Sequence, residues 1–326
     1  MGCKLSHDAA APVPAREGEA TSRPAEAIVR RVDFGALSLF PEHGEPFDAS
    51  VRGKLMGHRK SLGNAVVVGD RVRVAWEGER ALVDGVEPRR SAFSRRAAGE
   101  REEEQVVAAN LDQVVIVVAL RRPEFRHGFV DRVLVQSLVA GLPALLALNK
   151  TDLGDEAEAA ALLADYAPAG VRGLAMCAKS GRGVESLREA CQGRRSLFVG
   201  HSGVGKSTLL DLLAPGHELL AAEVNERTGK GKHTTTAALL LRPSQGLELI
   251  DTPGVRAFAP WGVDAESLVE YYPEIQAYRG QCRFDDCRHD REPGCAVRAA
   301  VERGEVHERR FTSFHKLRDE LQGGRR

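Results

Sequence analysis

The segment Gly200-His201-Ser202-Gly203-Val204-Gly205-Lys206-Ser207-Thr208 has the spacing G-x-x-x-x-G-K-S/T. It follows an apolar strand pattern over residues 197–199 and opens an apolar helix pattern over 209–213, the context such a loop requires. Glycines there let backbone N–H groups curl around phosphate oxygens at a helix N-terminus, where the dipole favours negative charge. Lys206 is placed to neutralise β and γ phosphates, which makes it a candidate catalytic group, and the Ser207 hydroxyl can ligate Mg²⁺. The plain alternative, in a chain with 33 glycines, is a Gly-rich strand-to-helix turn. Asp251-Thr252-Pro253-Gly254 ends another apolar run. Alone it is only a turn; beside a phosphate-binding loop, Asp251 can hold the Mg²⁺ shell and the Gly254 N–H can meet a γ-phosphate.

Asn149-Lys150-Thr151-Asp152 closes the apolar run at residues 143–148 and bears on the base. Guanine presents two adjacent donors, an N1–H and an exocyclic amine, which one carboxylate accepts together; adenine cannot satisfy it. Asp152 is the candidate carboxylate, Asn149 the candidate for the N7/O6 edge, and Lys150 packs over the ring. Cys177-Ala178-Lys179-Ser180-Gly181 lies where a second base-contacting loop is expected, although it lacks the commoner Ser-Ala start. The alternative for residues 149–152 is an Asn/Asp-rich loop.

Three of the six cysteines join one histidine in the array Cys282-x4-Cys287-x-His289-x5-Cys295. Three thiolates and an imidazole make a closed tetrahedral shell, which points to one structural Zn²⁺ rather than an open catalytic site. A reduced loop or a disulfide is the alternative. Cys177 and Cys191 read as packed side chains.

Positioning these groups takes three kinds of architecture. Short β-branched pieces at residues 27–30, 35–40, 65–68, 71–76 and 81–86, broken by Gly, Pro and Asp, predict a small β-barrel. From about Val106 strands and helices alternate: strands at 114–120, 143–148, 196–199 and 247–250, helices at 129–140, 156–166, 184–191 and 207–213. That alternation predicts a doubly wound, mostly parallel sheet covered on both faces. After Trp261 the pattern is helical, interrupted by the Cys/His array. The predicted units are a disordered tail (1–27), an RNA-binding barrel (28–92), a nucleotide-binding α/β unit (93–259) and a helical zinc-binding unit (260–326).

Motif order is the unusual fact. In most GTPases the phosphate-binding loop comes first and N-K-x-D follows D-x-x-G; here Asn149 precedes Gly200, and no N-K-x-D follows Gly254. The predicted fold is therefore a circularly permuted P-loop GTPase, which a doubly wound sheet tolerates because its termini lie close together. Permuted motifs, a preceding barrel and a following Cys/His array resemble the ribosome small-subunit-dependent GTPase A family (RsgA, also called YjeQ) over roughly residues 28–320. The matching residues include 109–118, 131–135, 149–152, 203–207, 232–236 and 251–254. The resemblance implies an N-terminal OB-fold, a C-terminal zinc domain, and action in late maturation of the small (30S) subunit with 16S rRNA as a partner.

Lys232-His233-Thr234-Thr235-Thr236 falls where the first switch should be. Thr234 or Thr235 can ligate Mg²⁺ and sense the γ-phosphate, and His233 can orient the attacking water, since Val255, just after D-x-x-G, cannot. A solvent-facing switch histidine is the alternative.

Whole-chain charge says little: 46 Lys+Arg balance 46 Asp+Glu. Residues 28–96, however, hold 13 Lys+Arg against 9 Asp+Glu, a difference of +4, with Arg52, Lys54, Arg59 and Lys60 in one expected loop. Such a loop suits RNA phosphates or is simply a solvated face. The composition, 43% hydrophobic and 28% charged, excludes disordered and collagen-like classes. The longest apolar run, residues 114–120, is far too short to cross a bilayer. The expectation is a cytoplasmic, monomeric, Mg²⁺-dependent GTPase; the rivals are a nucleotide-sensing RNA scaffold with little catalysis and a permuted GTPase acting on another RNA particle.

Overall fold

The computed structural model describes residues 23–33, 36–52, 65–97, 103–216, 238–243, 246–254 and 258–323. The N-terminal β-branched runs form β1 (Glu26–Val32), β2 (Leu37–Phe40), β3 (Phe47–Val51), β4 (Arg71–Glu77) and β5 (Arg80–Val86). They pair in the order β1-β2-β3-β5-β4, and β4 returns to β1, closing an OB-like barrel. Only the β3–β5 contact is parallel. Closure removes the open edges that an isolated sheet exposes, and Val29, Leu37, Leu39, Val72 and Val83 fill the interior, fully buried.

Besides β3, which lies outside the expected strands, two details differ from the sequence reading. Residues 65–68 are a bend and turn instead of a strand, with Val66, Val67 and Val68 buried: the Asp70 carboxylate accepts the Val67 N–H at 2.8 Å and a two-pronged bond from Arg89 at 2.7 and 2.8 Å, which curls the segment. β1 also starts at Glu26, inside the expected tail, because Ala27 faces the barrel core.

A hairpin of β6 (Ala92–Arg96) and β7 (Glu104–Ala109) leads into β8 (Gln113–Ala119). β8 is buried along its whole length, and its side chains alternate between two cores. Val114, Ile116 and Val118 face one side; Val115, Val117 and Ala119 face the other. A strand apolar on both faces must be covered twice. α1 (His127–Val139) and α2 (Glu156–Ala164) cover the first face, and α3 (Val184–Cys191) and α4 (Lys206–Leu213) the second. Each aliphatic side chain so buried contributes roughly 1.5–3 kcal/mol.

The remaining strands are β9 (Ala144–Asn149), β10 (Arg172–Ala175), β11 (Arg195–Gly200), β12 (Leu239–Leu241) and β13 (Glu248–Asp251). The order β10-β9-β8-β11-β13 is parallel throughout, with β12 antiparallel to β13. β9, β11 and β13 therefore deliver Asn149, Gly200 and Asp251 to the same, carboxyl end of the sheet, where doubly wound folds bind ligands. β12 also meets β1, with Arg31 opposite Leu239, so barrel and parallel sheet are continuous. Gly69 joins the barrel to β7 instead: its N–H donates to the Val29 carbonyl at 2.9 Å, and at φ +90° a Cβ there would lie 2.2 Å from the Ala109 carbonyl oxygen.

The C-terminal unit comprises a 3₁₀ turn (Ser267–Tyr271), α5 (Pro273–Gln276), the Cys/His loop, α6 (Ala296–Glu302) and α7 (Glu308–Gly323). Leu268, Tyr272, Ile275, Val297, Phe314 and Leu317 form its core, to which α1 adds Val135. Among the described residues no helix is long and apolar enough to cross a membrane.

Candidate nucleotide site and metal centre

Gly203 and Gly205 hold left-handed φ values of +83° and +90°, which turn the loop between β11 and α4 around its own backbone. Asn149, 1% exposed, ties this loop to the other two. Its Nδ2 donates to the Val204 carbonyl and its Oδ1 accepts the Ala178 N–H, both at 2.9 Å. The approach is so close that a Cβ on Gly205 would lie 2.3 Å from Asn149 Nδ2. Lys150 lies along the loop tip, donating to the Gly203 carbonyl at 2.7 Å and to that of Arg122. Thr151 is buried and donates to the Met176 carbonyl at 2.9 Å.

Asp152 and Lys179 are exposed and share an open cleft of about 610 Å³ with Cys177, Ser180 and Arg182. The Cys177 thiol donates to Asp152 Oδ1 at 3.2 Å, so a cysteine fills the role a serine hydroxyl could take there. Arg182, which sequence reasoning missed, props the cleft by donating to Thr151 Oγ1 at 2.7 Å. Ser202, Gly203, Ser207 and Thr208 are exposed at the loop mouth, and the His201 ring packs 4.1 Å from Phe129.

Lys206 and Asp251, 7% and 5% exposed, form an ion pair, and Lys206 also donates to the Thr252 carbonyl at 2.6 Å. Thr252 Oγ1 donates to Phe198 at 2.7 Å and fixes this segment to β11. A Cβ on Gly254 would sit 3.3 Å from the Ser202 nitrogen, so the D-T-P-G turn abuts the glycine loop. The donor set fits a phosphate with a divalent cation: one ammonium for the anion, one carboxylate and one hydroxyl for the cation, and a backbone ring too tight for side chains. His233, Thr234, Thr235, Lys54, Arg59 and Lys60 lie outside the described residues. Arg52 follows β3, exposed, in a 3.0 Å pair with Glu77.

The Cys/His array also converges. Ligand atoms of Cys282, Cys287, His289 and Cys295 all lie within 4.8 Å of one another. His289 Nδ1 is 3.5 Å from the sulfurs of both Cys282 and Cys295, which are 4.0 Å apart. Four ligands at Zn–S of about 2.3 Å and Zn–N of about 2.0 Å require edges of about 3.8 and 3.5 Å, so the cluster matches a tetrahedral ion. Backbone N–H groups of Ala296 and Arg298 donate to the Cys282 and Cys295 sulfurs at 3.4 Å, and His315 bonds the His289 carbonyl at 3.1 Å. Burial and the neighbouring thiols push Cys287 up to about 12, so thiolate character there depends on a cation.

A family model described as RsgA GTPase matches residues 86–261. The small ribosomal subunit biogenesis GTPase RsgA of Gemmatimonas aurantiaca is 41% identical over 292 residues, 89% of this chain and 95% of its own. This chain belongs to the RsgA GTPase family. The RsgA protein of Chlorobaculum parvum is 43% identical over 267 residues, covering 79% of this chain and 86% of its own. Among solved structures, YjeQ from Thermotoga maritima matches with a TM-score of 0.70 at 30% identity, over 92% of this chain and 99% of that one. YloQ, described as a circularly permuted GTPase, shares the fold at a TM-score of 0.68 and 23% identity, over 95% of this chain and 98% of that one.

This RsgA-family chain also carries a buried charge cluster that sequence reasoning did not assemble. Arg310 of α7 bonds Asp131 of α1 and, at 2.7 Å, Glu274 of α5. Burial raises the Asp131 carboxyl. An acid amid the apolar repeat of residues 129–135 was a readable signal, but its partner lies 179 residues away.

Proposed function

We propose that this chain is a GTP hydrolase acting in assembly of the small ribosomal subunit, holding guanine nucleotide at the carboxyl end of β9, β11 and β13. The observation that carries this reading is Asn149, which draws the base loops and the phosphate loop into one unit. Asp152, steadied by Cys177, accepts the two guanine donors; Lys150, Thr151, Ala178 and Lys179 frame the base. Residues 200–208 wrap the phosphates. Lys206 leaves Asp251 to meet phosphate oxygens, which frees that carboxylate, with Ser207 and Thr234, for Mg²⁺. When bound, Mg²⁺ supplies Lewis-acid stabilisation of the charge that develops on the phosphates. Thr235 and His233 complete the switch, His233 orienting water; His233→Ala then loses partner-stimulated turnover while keeping nucleotide affinity.

The Cys3His cluster holds one structural zinc ion, the barrel contributes Arg52, Lys54, Arg59 and Lys60 to 16S rRNA, and the protein works as a cytoplasmic monomer. GTP order in the switches favours the subunit-bound state, and hydrolysis to GDP removes that differential affinity. The test is GTP turnover measured alone, with small subunits and with large subunits. Stimulation by small subunits only is expected; equal rates in all three refute the assignment. Binding should also weaken as salt rises, through counterion release.

A further inference from the structure

α1 is shared between two hydrophobic cores. Phe129, Val130 and Val133 pack beneath the parallel sheet, whereas Val135 packs with Tyr272 and Ile275 of the C-terminal unit. Its first turn touches the phosphate loop: the Phe129 ring lies 4.1 Å from that of His201. Just before the helix, the Arg122 carbonyl accepts from Lys150, whose ammonium also bonds Gly203.

Two residues beyond Phe129, about 3 Å along the axis, Asp131 meets Arg310. The guanidinium also bonds Glu274 at 2.7 Å and lies over Tyr272 and Tyr166, at 4.6 and 5.4 Å from their ring centres. Asp131, Glu274 and Arg310 are 1%, 8% and 2% exposed. Moving Arg310 away would strand two carboxyl groups in apolar surroundings, so α1 and α7 are held in one arrangement. Arg132 adds a second, surface bond to Glu320 of α7 at 2.6 Å.

We infer that the Arg310–Asp131 pair is a positioning contact for the phosphate loop, through which the C-terminal metal unit and the nucleotide site set each other's affinity. The inference rests on the nucleotide reading above. Neither residue lines the cleft beside Asp152; both act through α1, whose Phe129 backs His201. Coupling of this kind is reciprocal, so a partner that shifts α7 changes nucleotide affinity by the factor by which nucleotide changes that partner's affinity.

The test uses the full chain with its metal and three variants: Arg310→Met, Asp131→Asn, which keeps the shape and leaves Arg310 in a one-to-one pair with Glu274, and Phe129→Leu. Metal content and urea unfolding report whether each is folded; a fluorescent GDP analogue reports affinity, and GTP turnover separates KM from kcat. Arg310→Met is expected to weaken the analogue about fivefold or more with metal retained, Asp131→Asn in the same direction by less, and KM to rise more than kcat falls. Arg310→Met combined with Phe129→Leu should cost less than the product of the single effects, because both break one route. Metal-loaded Arg310→Met and Asp131→Asn proteins that bind within twofold of the unchanged chain overturn the inference, as does full independence of the Arg310 and Phe129 effects. If Arg310→Met does not fold, Asp131→Asn and Phe129→Leu decide by the same criteria. Failure of the nucleotide reading looks different: the unchanged chain itself would not bind the analogue.

Discussion

Replacing Asn149 by Ala removes a side chain that bonds both the phosphate loop and the second base loop. The Val204 carbonyl and the Ala178 N–H each lose a 2.9 Å partner at a site 1% exposed. A buried group left unpaired costs roughly 1–3 kcal/mol, so the pair should cost about 2–4 kcal/mol after partial relaxation. For a unit of this size about 2 °C accompanies each kcal/mol, which lowers the apparent Tm by about 4–8 °C. Affinity for GTP should fall about tenfold or more, since both loops must re-order when ligand binds. Asn149→Asp separates the two bonds: its carboxylate still accepts from Ala178 but turns an oxygen toward the Val204 carbonyl, so it should bind GTP no better than the Ala variant. Thermal unfolding with and without GTP, alongside titration with a fluorescent GTP analogue, measures both effects. An Ala variant that melts within about 1 °C of the unchanged protein and binds GTP within twofold would show that Asn149 does not organise the site.

Asp152→Asn should shift preference from GTP to XTP, whose C2 oxygen accepts where guanine donates, as competition binding will report; retained GTP preference would remove Asp152 from base recognition. Treating the Cys3His cluster with a chelator, or Cys295→Ser, should release about one metal ion per chain and unfold residues 260–323 while the parallel sheet survives, as metal analysis and limited proteolysis with mass spectrometry would show. His127 bridges Tyr166 and Arg309, at 3.1 Å from each, and burial followed by the Arg309 charge holds its imidazole below its ordinary 6.5. A base whose folded pKa is depressed adds stability above its unfolded value and loses it as pH falls toward the folded one. Urea midpoints should therefore drop below about pH 6.5, and less so in His127→Gln; an unchanged pH profile in that variant would remove His127 from the account.

The loops at the carboxyl end of the sheet were legible because they demand particular residues: glycines where φ turns positive and an amide where two loops meet. β8 was legible because both its faces are apolar, which produces an unbroken run. β3 and β10 were not. In β3, Phe-Asp-Ala-Ser-Val does alternate, but over only 5 residues after Pro46 and with Ala49 as its one buried side chain; in β10, Arg-Gly-Leu-Ala has neither period nor β-branching and becomes a strand only by pairing with β9. The run at residues 65–68 misled because valines bury equally well in a turn, and it was Asp70 that chose the turn. The convergence of Cys282, Cys287, His289 and Cys295 was readable, since all four fall within one short segment. The Arg310 cluster was not, because its members come from three distant elements and only tertiary packing joins them.

The strand order has a consequence during synthesis. β8 pairs with β9 on one side and with β11 on the other. β9 follows it from the ribosome promptly, but β11 lies about 80 residues further along, a delay of roughly 4–16 s at 5–20 residues per second. Throughout that interval β8, paired first with β9 and then within the half-sheet β10-β9-β8, offers an open edge with the sequence Gln-Val-Val-Ile-Val-Val-Ala, high in β-propensity and free of charge. Asp112 before the run and Arg121-Arg122 after it stand as charged gatekeepers against pairing with other chains. A chain halted before Arg195 should therefore be insoluble where the whole chain is not, and the permuted order places the period of greatest aggregation risk before any phosphate loop exists.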